Sequence, residues 1–133
     1  MPAHTVHSSS NGIPWQVALH SDHHQWQADV APQSGGGDLA PNPESYLLGA
    51  LGACTAMTVR MYAERKQWPL RGVDVTVSIA QHDKQCVHLE RHMSLQGELN
   101  DQQRQRLLEI AEKCPVHRLL TGNVTISSQL TPQ

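Results

Sequence analysis

Two cysteines stand out among the residues that could do chemistry. Cys114 lies in Glu112-Lys113-Cys114-Pro115-Val116-His117-Arg118, directly before a proline that suits the first position of a helix. A sulfur at such a place faces unsatisfied backbone N–H groups and the positive end of the helix dipole, and both favour thiolate over thiol. Lys113, His117 and Arg118 push in the same direction. Cys54 lies in an apolar run over residues 46–59. Taken alone it reads more readily as a small buried helix residue. The flanking Gly49, Gly52, Ala53 and Ala56 fit either role, because small residues let another backbone approach closely. Together the two cysteines point to thiol chemistry.

The remaining reactive side chains offer less. Cys86 falls between the apolar positions of a strand, on the face of His88, Glu90 and His92, and reads as a surface thiol. With His82 or His88 it could contribute to a metal site, but no Cys-x-x-Cys or His-Glu-x-x-His pattern supports zinc. His20, His23 and His24 cluster near a turn and read as solvated. Cys114 and His117, three residues apart, share one side of a helical turn. A cysteine hydrolase or acyl-transfer enzyme would use such a pair, but no orienting acid or oxyanion motif accompanies it.

The elements that must position these residues follow from periodicity and punctuation. Asn11-Gly12 is a hairpin turn signal between a polar run around Val6 and the alternating residues 15–19. Ser21-Asp22 marks a second turn, with a strand following near residues 24–28. Residues 30–41 read as a loop. Its Gly35-Gly36-Gly37 lacks the Gly-Lys-Ser/Thr of a phosphate cradle. Asn42-Pro43 starts a helix, a cap residue followed by proline at the first position. Glu44 sits in the first turn, where a carboxylate suits the dipole. This helix is expected to run to about Lys66, with Trp68-Pro69 ending it. It is apolar on nearly every face from Tyr46 to Val59, so it demands cover on all sides, and a second subunit is the natural cover. Val73, Val75, Val77 and Ile79 alternate as one strand, and Val87, Leu89, Met93 and Leu95 as another. Asn100 opens a second helix with a capping-box arrangement. Its apolar stripe is Leu107, Leu108, Ile110 and Ala111, and it stops near Cys114-Pro115. Residues 117–121 add a helical turn, and Val124, Ile126 and Leu130 give a last strand. The layout is α+β: an N-terminal β-meander, a long central apolar helix, two strands, a cysteine-bearing helix and a strand. It carries no dinucleotide fingerprint and no internal repeat.

Composition narrows the class. A chain of 133 residues fits one domain, 1–133. Ten basic and twelve acidic side chains give a net charge of −2. No basic face argues for nucleic acid. The apolar run from Tyr46 ends at Arg60, short of the about 18–20 residues of a membrane span. The N-terminus lacks the pattern of a secretory leader, and three cysteines are too few for a secreted disulfide framework. The expectation is a cytoplasmic protein with free thiols. With no Phe, its core must rest on Leu, Val, Ile, Met and Ala.

The segment from Asn42-Pro43-Glu44 through Cys54 to Thr58, with Lys113-Cys114-Pro115-Val116-His117-Arg118-Leu119-Leu120, resembles the OsmC/Ohr family (osmotically inducible and organic hydroperoxide resistance proteins). The likeness runs from about Asp22 to the end. It implies an α+β fold, an intertwined homodimer with active sites at its interface, and thiol-dependent reduction of organic hydroperoxides. By that analogy Cys54 is the peroxidatic cysteine, Cys114 the resolving one, and Glu44 the glutamate of the Pro-Glu motif. An external thiol or dithiol would then reduce the Cys54–Cys114 disulfide, with no metal or organic cofactor. Leu47, Leu51 and Met57 would wall the site and favour organic hydroperoxides over hydrogen peroxide. Characterised peroxidases of the family place an arginine from the N-terminal sheet region at the thiolate site. Here no arginine precedes Arg60, which leaves His23, His24 or Arg118 as sources of charge. The competing reading is a protein of this fold that binds a small ligand or partner in the same pocket without turning over peroxide.

Helix geometry adds an expectation about assembly. Glu44 and Cys54 are separated by about 15 Å along one helix and lie on different sides of it. An antiparallel crossing of two such helices near Gly49 would bring Glu44 of one chain level with Cys54 of the other.

Overall fold

Alternating residues early in the chain form a meander of β1 (His7–Ser9), β2 (Val17–Ser21) and β3 (His24–Ala28), antiparallel in that order. Ser21 pairs with His24 and Val17 with Ala28. Asp22, at φ 52°, turns the chain between β2 and β3. The computed structural model describes residues 4–10 and 12–132, so Asn11 of the expected Asn11-Gly12 turn lies outside the described residues. The backbone falls into two units, one ending at Leu47 and one beginning at Leu48.

In the first unit the glycine-bearing loop closes around a buried carboxylate. Asp29 is only 1% exposed. It accepts N–H bonds from Val30 (2.7 Å), Leu39 (3.1 Å) and Gly37 (3.3 Å). A Cβ at Gly36 would collide with the Val30 carbonyl oxygen and sit 2.7 Å from Asp29 Oδ1. The glycines therefore let the backbone wrap an internal anion.

Helix α1 (Pro43–Arg65) starts where Asn42 Oδ1 accepts from Ser45 N–H at 2.8 Å. Its end is a Schellman turn. Gln67, at φ 57°, donates to Glu64 O, and Trp68 N–H reaches back to Ala63 O. Only the stripe Leu51, Thr55, Val59 and Ala63 is buried, while Leu47, Met57 and Met61 are exposed. Strands β4 (Leu70–His82) and β5 (Val87–Gly97) form an antiparallel hairpin. At Gly52 of α1 an added Cβ would make ordinary contact with Val77 Cγ2 of β4 at 3.7 Å, so the helix lies against this strand. Helix α2 (Asp101–Ala111) has the full capping box, with Gln103 N–H on Asn100 Oδ1 and Asn100 N–H on Gln103 Oε1. The core of the second unit joins Val59 and Ala63 of α1 to Leu107 and Ala111 of α2. Met93, Leu95, Val73 and Trp68 pack against it.

Three details depart from the sequence reading. Cys86 precedes β5 in an exposed turn organised by Asp83, whose carboxylate accepts from the Gln85 and Cys86 amides. Leu108 is half exposed instead of joining the buried stripe of α2. The segment expected as a last strand is irregular. Val124, Ile126 and Leu130 have the alternation of a strand, yet β4 and β5 pair with each other and these side chains remain exposed.

Candidate functional site

Cys114 is fully buried and caps the N-terminus of α3 (Pro115–Thr121). Its extended backbone, the proline that follows and the His117 N–H donating to Sγ at 3.3 Å define the cap. The sulfur also lies 3.9 Å from Thr55 Oγ1 on α1. Thr55 is the residue directly after Cys54, so the Cys114 thiol packs against the stretch of helix that carries the other cysteine. Cys54 itself is half-buried on the flank of the Leu51–Thr55 stripe. All three cysteines are free thiols.

A polar network adjoins Cys114 through Thr55. Thr55 donates its hydroxyl proton to Leu51 O at 2.7 Å, a bond back along the helix. Arg91 Nη1 donates to Thr55 Oγ1 at 3.1 Å. Arg91 Nη2 approaches Glu112 at 3.5 Å, and the same carboxylate oxygen lies 3.9 Å from His117 Nε2. The Arg91 side chain is only 13% exposed. It occupies an inward position of β5, opposite Val77 and in line with Leu89 and Met93. The alternation of β5 marks this slot in the sequence, since Leu89, Met93 and Leu95 require residue 91 to face the same way. The reading of that strand as an apolar pattern skipped over it. Thr55 carries a similar signal, a hydroxyl at helical spacing from Leu51 and Val59.

Beside the network is a cavity of about 430 Å³. Leu51, Leu89, Leu108 and Leu120 give it apolar walls, and Arg91 and His117 give it polar ones. Of the three apolar walls expected from sequence, Leu51 lines this cavity, while Leu47 and Met57 are exposed, and neither Cys54 nor Cys114 is among its lining residues. His117 joins the network, whereas Arg118 is exposed on α3. Glu44 sits exposed in the first turn of α1. His23 and His24 are exposed at the β2–β3 turn with their rings 4.3 Å apart. Among the described residues no group of three or more His, Cys, Asp or Glu is placed to hold a metal ion. Among the described residues no helix is long and apolar enough to cross a membrane.

A buried thiol at a helix cap, packed beside a second cysteine-bearing helix in an α+β fold, defines a class of proteins. The sequence pattern described as OsmC-like protein matches residues 35–129, and the chain belongs to the OsmC family. Solved structures show the same fold. An OsmC-like protein from Mycoplasma pneumoniae superposes with a TM-score of 0.74 at 18% identity, over 91% of this chain and 89% of that one. An organic hydroperoxide resistance protein OsmC from Legionella pneumophila gives 0.68 at 21% identity, over 92% of each chain. An organic hydroperoxide resistance protein from Elizabethkingia anophelis gives 0.68 at 21% identity, over 92% of this chain and 91% of that one. No curated protein sequence matches the chain.

Proposed function

We propose that this protein is a thiol-dependent peroxidase that reduces organic hydroperoxides, with Cys54 as the attacking thiol and Cys114 as the resolving one. The carrying observation is the placement of the Cys114 sulfur against Thr55, the neighbour of Cys54, next to a network whose Arg91 and His117 line a cavity with leucine walls. Membership of the OsmC family and the likeness to proteins named for organic hydroperoxide resistance support the same reading.

The chemistry requires only the two thiols and an external dithiol. The Cys54 thiolate attacks the distal peroxide oxygen. An S–O bond forms, the O–O bond breaks, and the leaving alkoxide takes a proton to become an alcohol. Cys54 is then a sulfenic acid, oxidised by two electrons. The Cys114 sulfur attacks the sulfenic sulfur, an S–S bond forms, and hydroxide leaves with the thiol proton as water. The external dithiol returns both cysteines to thiols by exchange and is itself oxidised to a disulfide. The leucine walls favour an alkyl or aryl hydroperoxide over hydrogen peroxide. A homodimer in the cytoplasm, with Glu44 approaching the partner's site, completes the reading.

Consumption of cumene hydroperoxide under excess dithiothreitol tests the proposal. Turnover is expected from the native chain. Cys54→Ser should abolish it, and Cys86→Ser should leave it intact, because Cys86 is exposed in its turn. Full activity in Cys54→Ser refutes the assignment of the nucleophile. No consumption above the dithiol background by the native chain leaves ligand binding as the function of the cavity.

A further inference from the structure

Arg91 has no part in the chemistry outlined above, yet it is a nearly buried cation in a position that strand alternation reserves for an apolar side chain. Its surroundings say what it does. The single hydroxyl proton of Thr55 is committed to Leu51 O at 2.7 Å. Arg91 Nη1 takes up one acceptor direction of the same oxygen at 3.1 Å. With its proton spent, Thr55 Oγ1 can meet Cys114, 3.9 Å away, only as an acceptor from the S–H group. The thiol proton therefore points at α1. The His117 N–H holds the sulfur from the α3 side at 3.3 Å. Glu112, two residues before Cys114, tethers the other end of the guanidinium at 3.5 Å.

We propose that Arg91 is a positioning residue for the resolving step: acting through Thr55, it holds the Cys114 thiol against the helix that carries Cys54, ready to attack the sulfenic acid. This rests on the peroxidase reading above. In the step it serves, the Cys114 S–H proton leaves with the hydroxide of the sulfenic acid as water while the S–S bond forms. When Cys114 is poorly placed, the sulfenic acid persists, and a second hydroperoxide oxidises it to sulfinic acid with release of another alcohol.

The ratio of sulfinic acid to disulfide at Cys54 reads this competition, and it does not depend on the speed of the first oxidation. The chain is treated with graded excess of cumene hydroperoxide in the absence of reductant, and the Cys54 peptide is quantified by mass spectrometry. Thr55→Val, which keeps the shape and removes the hydroxyl, should raise the ratio about five- to tenfold, the rate effect of one lost hydrogen bond. Arg91→Met should raise it in the same direction. Thr55→Ser, which keeps the hydroxyl, should restore the native ratio, a rescue that loss of packing alone does not predict. If Arg91→Met fails to fold, the Thr55 pair decides. A native chain that forms the disulfide with the same ratio in Thr55→Val overturns the role of the network. A native chain whose Cys54 remains reduced overturns the peroxidase reading, and this inference with it.

Discussion

Asp29 and Arg91 are charged side chains that the fold takes inside, and each is explained by the partners that meet it. Asp29 accepts three backbone N–H bonds. The bond from Val30, then that from Leu39, holds its carboxyl below the ordinary value of 3.8, against the opposing effect of burial, with Gly37 adding to the lowering. A carboxyl with a lower pKa in the folded state favours folding while it is ionised. Its contribution is therefore complete above the unfolded value and is lost as the pH falls through the folded one. The amide resonances of Val30, Gly37 and Leu39 should titrate together with a midpoint below 3.8, and Asp29→Asn should abolish that transition. A midpoint at or above the ordinary value would contradict the anchor. At this scale the sequence is only partly legible. The cysteines announce themselves through Pro115 and the small residues around Cys54. Asp29 is silent because a carboxylate beside a glycine-rich loop is indistinguishable from a solvated one until the loop is seen to close. Arg91 is silent for a different reason: its inward direction is fixed by strand pairing, while its charge suggests the opposite.

Among the elements, α2 has the most direct bearing on the site, because the chain leaves it through Glu112 and enters the Cys114 cap. Its start depends on the reciprocal bonds between Asn100 and Gln103. Asn100→Ala removes the acceptor for an otherwise orphaned N–H and should cost about 1 kcal/mol, measured by urea denaturation at constant slope. An unchanged midpoint would show that the cap is not what secures α2. Punctuation of this kind makes helices readable in advance: Asn42-Pro43, Asn100 and Cys114-Pro115 each mark a boundary that the structure keeps. The strand expected around Val124 illustrates the converse. Alternation of apolar side chains states a preference for extended backbone, but a strand also needs a ladder partner, and β4 and β5 supply each other.

For the whole molecule, the unpartnered apolar surface sets the main question. Leu47, Met57 and Met61 are exposed along α1, as are Val124, Ile126 and Leu130 near the C-terminus. In the proposed homodimer, an antiparallel crossing at Gly49 would lay a second copy of the chain over the exposed residues of α1. A side chain added at Gly49 meets nothing within 4 Å in the chain itself, and leucine is a better helix former than glycine by about 1 kcal/mol. Gly49→Leu should therefore leave the fold intact and weaken the dimer in sedimentation equilibrium. Undiminished dimerisation, or a native chain that is monomeric at micromolar concentration, would contradict the crossing. The central claim is narrower and can be met directly. One equivalent of cumene hydroperoxide is added to the reduced protein, and the products are mapped as peptides under non-reducing conditions. The expected result is a disulfide between Cys54 and Cys114 of the same chain, with Cys86 still free. A Cys54–Cys86 bridge as the main product, or three thiols left unchanged, would contradict it.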